Sequence, residues 1–316
     1  MAVADGPGRP ALLVLRGLGL GDLLTAVPAL RALRRAYPEH RLVLATPAYL
    51  GGLLPLIGGI DDLVDVSGPG PVPFAAPGVA VNLHGSGPES IVALRRTRPG
   101  RLLTHAHAGV PGADGPPWRA DVHEVRRWCD LLEWHGIETD REDLALLDPG
   151  PGPLDGGEVL VHPGASSAAR QWPPERFAQV AAELTRLGHR VVVTGGVGEI
   201  ALARHVAALA GLPEEAVLAG RTDLPVLAAL TRHAALVVCG DTGMSHLATA
   251  VGTPSVVLYG PVPPVLWGPP ESHPHVTLWT GRTGDPHADR PSEGLLEIEP
   301  PAVLDAALSL LEVRVR

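Results

Sequence analysis

Short apolar runs alternate with amphipathic segments along most of the chain. The run from Ala11 to Leu15 leads through a glycine-rich turn into a segment with Leu23, Val27, Leu30 and Leu33 at helical spacing. Buried strands separated by helices are typical of βαβ units, in which the strands form a parallel sheet. The pattern therefore predicts an α/β protein.

The same alternation predicts the other elements. The further predicted strands are 41–45, 79–83, 158–162, 190–194, 236–239 and 255–258, with a short strand near Val217. The further predicted helices are 121–135, one that starts at Pro173 and Pro174 and stops at Gly188, and 198–210, 224–233, 242–251 and 301–311. Pro28 should kink the first helix, because proline cannot donate to the preceding turn.

Residues 147–157 are dominated by Pro and Gly and show no periodicity, which predicts a linker. The chain has 316 residues, enough for two domains of about 150 residues each. We therefore expect one doubly wound, Rossmann-like domain in residues 1–150 and another in 151–300. Open parallel sheets bind ligands at the carboxyl ends of their strands, so function is expected in the strand-to-helix loops, around a central crevice that the two domains face.

Composition excludes several classes of protein. The net charge of −9 argues against a general nucleic-acid binder. No stretch approaches the ~20 apolar residues of a membrane helix, and residues 1–10 lack the apolar core of a signal peptide, so we expect a cytoplasmic protein without a transmembrane segment. Cys129 and Cys239 lie too far apart in sequence to indicate a disulfide framework or a zinc site. All 25 basic residues are arginine, so any cation in the site must be a guanidinium.

The glycine-rich loop 17–21 does not fit a dinucleotide-binding motif, because its glycine spacing is wrong and no acidic residue ends the second strand. Asp22, at the first turn of the following helix, is the notable residue. On the sequence alone it is either a carboxylate favoured by the helix dipole or a group that faces the crevice.

Residues 162–172 also connect a strand to a helix. Ser166, Ser167 and Arg170 offer hydroxyls and a guanidinium beside a helix N-terminus, which is what a diphosphate requires. The alternative is an ordinary polar loop in which Arg170 stacks on Trp172. The residues themselves leave both interpretations open.

Residues 239–247 form a third such loop. Asp241 is an adequate helix N-cap, but Gly243 in the first turn favours close approach of a ligand, with His246 one turn further on. His105 and His107 have metal-like spacing, yet no pattern supplies a third ligand, so no metal site is predicted.

Taken together, these loops resemble glycosyltransferase family 9, the ADP-heptose:lipopolysaccharide heptosyltransferases. The first half carries a Leu-Gly-Asp turn at 20–22 and a Pro-Ala-Leu helix start at 28–30. The second half carries Gly-Ala-Ser at 164–166, Trp-Pro at 172–173, Gly-Asp-Thr-Gly at 240–243 with Ser-His-Leu-Ala at 245–248, and Tyr-Gly-Pro at 259–261. Arg170 stands where the family usually has lysine, and it would pair with phosphate in a planar, bidentate manner.

The resemblance implies a GT-B fold with an acceptor-binding N-terminal domain, a donor-binding C-terminal domain and a last helix, 301–316, that packs back on the first domain. It implies an inverting, metal-independent enzyme without a cofactor. The donor would be a nucleotide-sugar, with ADP-heptose expected, and the acceptor a hydroxyl of a carbohydrate, a glycolipid or a small metabolite. It assigns Asp22 as the catalytic base. The residues that it assigns to the donor are Ser166, Ser167, Arg170, Asp241, Thr242, Gly243, Met244 and His246.

Two other functions remain compatible with the sequence. A nucleotide-sugar epimerase of the same fold would need further carboxylates in the crevice, which no motif supplies. A catalytically silent nucleotide-sugar-binding protein would not need Asp22, and hydrolysis of the donor separates it from an enzyme.

Overall fold

A computed structural model describes residues 8–271 and 274–315 and, within the last helix, side chains as far as residue 312. The chain forms two compact units, of which the first ends at Leu147 and the second begins at Asp148. This division falls at the start of the predicted linker. Within the described ranges no helix is long and apolar enough to cross a membrane.

The first unit is a five-stranded parallel sheet with the strand order β3-β2-β1-β4-β5. Its strands are β1 (Ala11–Leu15), β2 (Arg41–Thr46), β3 (Asp62–Asp65), β4 (Val79–Asn82) and β5 (Arg101–Leu103). Its helices are α1 (Leu20–Thr25), α2 (Val27–Ala36), α3 (Leu54–Ile57), α4 (Glu89–Arg96) and α5 (Glu124–Trp134), with a 3-10 turn at Ala48–Leu53.

The second unit repeats this architecture with the strand order β10-β9-β8-β6-β7, again all parallel. Its strands are β6 (Val159–His162), β7 (Val191–Val193), β8 (Leu236–Gly240), β9 (Ser255–Leu258) and β10 (His275–Leu278). Its helices are α6 (Pro174–Arg186), α7 (Ile200–Leu209), α8 (Leu224–His233), α9 (Gly243–Val251), α10 (Pro264–Trp267), α11 (Glu293–Leu296) and α12 (Pro300–Val315).

Each sheet is covered by helices on both faces, which is why its central strands are apolar throughout. Every residue of β1 is fully buried. On the second sheet, α6 contributes Phe177, Ala181 and Leu184 to the core, at the spacing of one helix face. The α/β class and the two doubly wound units predicted from the hydrophobic pattern are therefore confirmed.

The structure corrects some predicted bounds. The helix expected to kink at Pro28 is divided at Ala26 into α1 and α2, with Pro28 in the first turn of α2, where its missing N–H costs little. The helix predicted from residue 121 begins at Glu124, because the His123 side chain accepts from Val125 N and caps it. The short strand near Val217 is a single bridge to Val193.

The last helix packs on the second unit, which corrects the expectation that it returns to the first. Val303, Ala307 and Leu311 follow one another at intervals of four residues, which places them on one face of α12. All three are buried in the core cluster of the second sheet, together with Phe177 of α6. This apolar stripe holds α12 against α6 and β9.

Candidate active site

Asp22 lies at the carboxyl edge of the first sheet, just after β1. It is the third residue of α1, and its Oδ2 accepts a hydrogen bond of 3.2 Å from the backbone N–H of Gly19. Asp22 therefore does stabilise the N-terminus of α1, as one of the two interpretations from the sequence expected. The side chain is nevertheless 28% exposed, so the carboxylate remains accessible to a substrate.

A buried arginine lies beneath Asp22. The Arg16 guanidinium is fully buried, and its Nη2 lies 3.4 Å from Asp22 Oδ1 and 3.0 Å from Oε1 of Glu124 on α5. Its Nε donates to the backbone oxygen of Asp22 at 2.9 Å and its Nη1 to that of Leu83 at 2.5 Å. The Arg16 guanidinium also lies over the Trp128 ring, 4.8 Å from its centroid.

The pKa of Asp22 is raised above the usual value for aspartate. Burial is the largest cause, and the negative charge of Glu124 adds to it, while Arg16 and the Gly19 hydrogen bond oppose it. A more basic carboxylate is a better proton acceptor near neutral pH. The environment of Asp22 therefore favours a general base.

Gly19 lies beside both Asp22 and Tyr49. A Cβ placed on Gly19 would lie 3.6 Å from Asp22 Oδ2 and 3.9 Å from the Tyr49 hydroxyl, which are ordinary contact distances. The two side chains therefore lie on the same side of this glycine. Burial, and next the Asp22 charge, raise the pKa of Tyr49, so its phenol is neutral. The sequence interpretation missed Tyr49, whose side chain is 61% exposed, so the burial of its phenol is only partial.

In the second unit, the loops after β6 and β8 bring Arg170 and Asp241 together. Arg170 Nη1 lies 3.5 Å from Asp241 Oδ2, and Asp241 is buried whereas Arg170 is half-buried. Among the residues that the structure describes, the Arg170 Nε has no hydrogen-bond partner. Trp172 is buried against Phe177 and donates to Ile298 O.

Residues 286–292, which precede α11, cover part of the loop after β6. The Ser167 hydroxyl donates to Pro286 O at 2.6 Å, and the backbone of Ala169 bonds to both Ala288 and Ser292. Ser166 is exposed. The Ser166 hydroxyl is therefore at the surface, whereas the Ser167 hydroxyl donates its proton within the protein.

The N-terminus of α9 is capped by Thr242, whose Oγ1 accepts from Met244 N at 3.1 Å. Thr242, rather than Asp241, is therefore the N-cap. Gly243 is the first residue of the helix, and the positive end of the helix dipole lies there. Met244 is buried and its N–H is used by the cap, which leaves its side chain no contact with a surface ligand. His246, one turn on, packs its ring against Trp267 with centroids 5.9 Å apart.

Glu199 is a carboxylate that the sequence interpretation missed. Its Oε2 accepts from Gly196 N at 2.6 Å and lies 3.8 Å from Nε2 of the buried His162. Burial lowers the pKa of His162, although Glu199 opposes the shift. A Cβ on Gly164 would overlap the Glu199 carboxylate, so the β6 and β7 loops depend on each other. The signal in the sequence was Gly-Gly-Val-Gly-Glu directly after a strand.

Comparison with known proteins decides the family. The model of glycosyltransferase family 9 (heptosyltransferase) matches residues 121–293. Lipopolysaccharide heptosyltransferase 2 of Salmonella typhimurium strain LT2 is 33% identical over 95% of this chain and 98% of its own length. This chain belongs to glycosyltransferase family 9. It is accordingly a glycosyltransferase, as the motifs indicated.

Solved structures of the family 9 enzymes share the fold. A family 9 glycosyl transferase from Veillonella parvula superposes with a TM-score of 0.77 at 22% identity, covering 98% of this chain and 99% of that one. E. coli ADP-heptose lps heptosyltransferase II gives a TM-score of 0.77 at 20% identity, over 97% and 100%. These likenesses confirm the GT-B class expected for the two units.

One further structural neighbour is described as iron-containing. This is the dodecameric glycosyltransferase TibC from enterotoxigenic E. coli, with a TM-score of 0.64 at 18% identity, covering 100% of this chain and 78% of that one. Within the described part of this family 9 chain, no group of three or more His, Cys, Asp or Glu side chains is arranged to hold a metal ion. His105, one of the two histidines with metal-like spacing, bonds instead to Pro116 O and packs its ring against Trp118.

Proposed function

We propose that this family 9 glycosyltransferase transfers heptose from ADP-heptose to a hydroxyl group, with inversion at the anomeric carbon and Asp22 as the base. The observation that carries the proposal is the Asp22 carboxylate: it is accessible, its pKa is raised, and the Arg16 guanidinium lies against it. The name of one structural neighbour, E. coli ADP-heptose lps heptosyltransferase II, supports the choice of donor.

The chemical step follows from these groups. Asp22 takes the proton of the acceptor hydroxyl as its oxygen bonds to the anomeric carbon, and the bond from that carbon to the diphosphate oxygen breaks. ADP departs with the electron pair. Attack from the face opposite the leaving group inverts the configuration.

The second unit is assigned to the donor. In this proposal the Arg170 guanidinium and the positive N-terminal end of α9 stabilise the negative charge of the departing diphosphate. Ser166, Thr242 and Gly243 supply further polar contacts around it. The Ser167 hydroxyl and the Met244 N–H are engaged within the protein, so in this proposal Ser167 and Met244 shape the loop and the helix start, and His246 contributes at the wall that it forms with Trp267.

Two further residues complete the donor site in this proposal. Asp241 holds the Arg170 guanidinium in place. Glu199 offers a carboxylate at the neighbouring strand end, where acidic groups accept hydrogen bonds from ribose hydroxyls in related α/β folds.

Metal independence is part of the proposal. A guanidinium and a helix N-terminus together offset diphosphate charge without a divalent ion. Turnover should therefore be the same in EDTA as in magnesium or manganese. Loss of activity in EDTA that added iron, magnesium or manganese restores would refute metal independence while leaving the donor assignment standing.

A panel of nucleotide-sugars tests the donor. Thermal unfolding is measured with ADP-heptose and with ADP-, GDP-, UDP- and dTDP-hexoses, since a ligand at 100 times its Kd adds about 2.7 kcal/mol of apparent stability. ADP-heptose should give the largest shift and should release ADP on incubation with an acceptor. A larger shift from a GDP-, UDP- or dTDP-sugar would contradict the assignment, and binding without any ADP release would favour a silent binding protein.

The acceptor is proposed as a class. Asp22 requires a neutral hydroxyl, which carbohydrates, glycolipids and small polyhydroxyl metabolites all provide. Product analysis by mass spectrometry with one acceptor from each group, at saturating ADP-heptose, identifies which class is used.

A further inference from the structure

Arg16 is shared between two carboxylates. Its Nη2 lies 3.0 Å from Glu124 Oε1 and 3.4 Å from Asp22 Oδ1, and the Thr25 hydroxyl is a third acceptor at 3.3 Å. An Nη2 group carries two hydrogens. Glu124 therefore competes with Asp22 for the same donor, and it has the shorter contact.

Glu124 is itself held firmly. Trp128 Nε1 donates to its Oε1 at 2.9 Å, and Arg127 Nε donates to its Oε2 at 3.0 Å. Burial raises the pKa of Glu124, but Arg16 and Arg127 outweigh it and the pKa is lowered on balance. The surroundings of Glu124 therefore favour its charged form.

The position of Arg16 is over-determined. Besides the carboxylates, its guanidinium bonds to the backbone oxygens of Leu83 and Asp22 and lies over the Trp128 ring. Few rotations of the side chain remain that keep these contacts. A fixed cation thus lies below the base, with its charge divided between two anions.

We propose that Arg16 and Glu124 are positioning residues for Asp22. Arg16 holds the Asp22 carboxylate at the edge of the first sheet. Glu124 holds Arg16 in place and pairs with part of its positive charge. Full pairing with Arg16 would make Asp22 a weak base, and no pairing would leave it free to turn away. The shared arrangement gives a base that is both held and reactive. The inference rests on the proposed role of Asp22.

Besides Arg127, which pairs with Glu124, four charged or titratable groups act on this network. Arg16 after β1, Glu124 from α5 and Tyr49 from the 3-10 turn act with Asp22 directly. His84, after β4, faces Arg16; burial and next the Arg16 charge lower its pKa, which favours the neutral imidazole.

Titration of Asp22 by carboxyl NMR tests the proposal in the whole protein. Aspartate labelled with 13C at Cγ gives a signal for Asp22 that is identified by its absence in Asp22→Asn. In Glu124→Gln the Arg16 charge is left to Asp22, so the titration midpoint should fall by about 1 pH unit. In Arg16→Gln, with Glu124 still nearby, it should rise by a similar amount of about 1 pH unit.

Arg16→Lys separates charge from geometry. Lysine keeps the positive charge but lacks the planar set of donors, so the midpoint should move little while ADP release from ADP-heptose slows about tenfold. Glu133→Gln is the matched control, because Glu133 is an ion-paired, half-exposed carboxylate on the same helix, bound to Arg141. In Glu133→Gln, the titration midpoint of Asp22 and the rate of ADP release should equal those of the wild type.

The positioning role and the role of Asp22 as the base fail under different results. The positioning role of Arg16 and Glu124 is overturned if the Asp22 midpoint is unchanged in Glu124→Gln, or if it moves as much in Glu133→Gln. If Glu124→Gln fails to fold, normal turnover in Arg16→Lys overturns it instead. Normal turnover in Asp22→Asn, with the midpoints shifted as expected, refutes Asp22 as the base while the network around it stands.

Discussion

Arg170 is the residue on which the proposed donor site depends most. Its guanidinium is held by the buried Asp241 carboxylate and retains an Nε without a partner among the described residues. A cation arranged in this way has donors to spare for an anion at the same edge of the sheet. The chain has no lysine to replace it.

Replacement of Arg170 by alanine should weaken ADP binding. Charge-assisted hydrogen bonds are worth about 1.5–3 kcal/mol, so the Kd measured by calorimetry should rise about tenfold or more. Arg170→Lys keeps the charge without the planar donors, so its Kd for ADP should lie between those of the wild type and Arg170→Ala. Arg186→Ala removes an exposed arginine of α6 and serves as the control with unchanged affinity. An unchanged Kd in Arg170→Ala would place the diphosphate site elsewhere.

At the scale of elements, the proposed donor site combines strand ends whose loops contact one another. Gly164 in the β6 loop lies so close to Glu199 after β7 that a Cβ would overlap its carboxylate. Glu199 in turn accepts from Gly196 N. The two loops are therefore fixed as a pair.

Gly164→Ala should disturb this pair without harming the sheet. The added methyl group displaces the Glu199 side chain, and loss of about one hydrogen bond to the donor raises the Kd for ADP about 3- to 10-fold. Gly198→Ala is the control in the neighbouring turn, since a Cβ there meets no atom within 4 Å. Equal affinities of the two variants for ADP would show that Glu199 does not contact the donor.

The elements that the sequence predicted well are the buried ones. The bounds of β1, α8 and β9 agree with the prediction, because their apolar pattern is uninterrupted or clearly capped. The predicted strands omitted β3, β5 and β10, which are three or four residues long and only partly buried. Their polar and exposed positions give no strand periodicity, and only pairing with an existing strand makes them regular.

The candidate site shows the same division. Asp22, Arg170 and Asp241 stand out in the sequence because each follows a buried strand. Arg16 and Glu124 do not stand out in the sequence. They are 108 residues apart, and only the fold brings the two charges together. Long-range pairs of this kind leave no local signal.

At the scale of the whole molecule, the last helix belongs to the second unit. The buried face of α12 packs on α6 and on β8 and β9. The sequence predicted the helix but not its place, because an apolar stripe does not indicate which sheet it covers. Stability of the donor unit should therefore depend on α12.

Val303→Ala tests this dependence. Val303 is fully buried, and removal of its two methyl groups should cost about 2 kcal/mol. Hydrogen exchange should then speed up in β8 and β9 and remain unchanged in β1 and β2. Ser309→Ala, at an exposed position of the same helix, is the control. Faster exchange in the first sheet alone would contradict the placement of α12.

The central claim is that Asp22 activates the acceptor, and Asp22→Asn tests it most directly. Asparagine keeps the size of the side chain and an oxygen for the Gly19 N–H, but it cannot take a proton. With ADP-heptose and acceptor saturating, turnover should fall by about 10² to 10⁴, while the Kd for ADP and the melting temperature stay near wild type. Near-normal turnover in Asp22→Asn would contradict the account and leave Asp22 with a structural role at the start of α1.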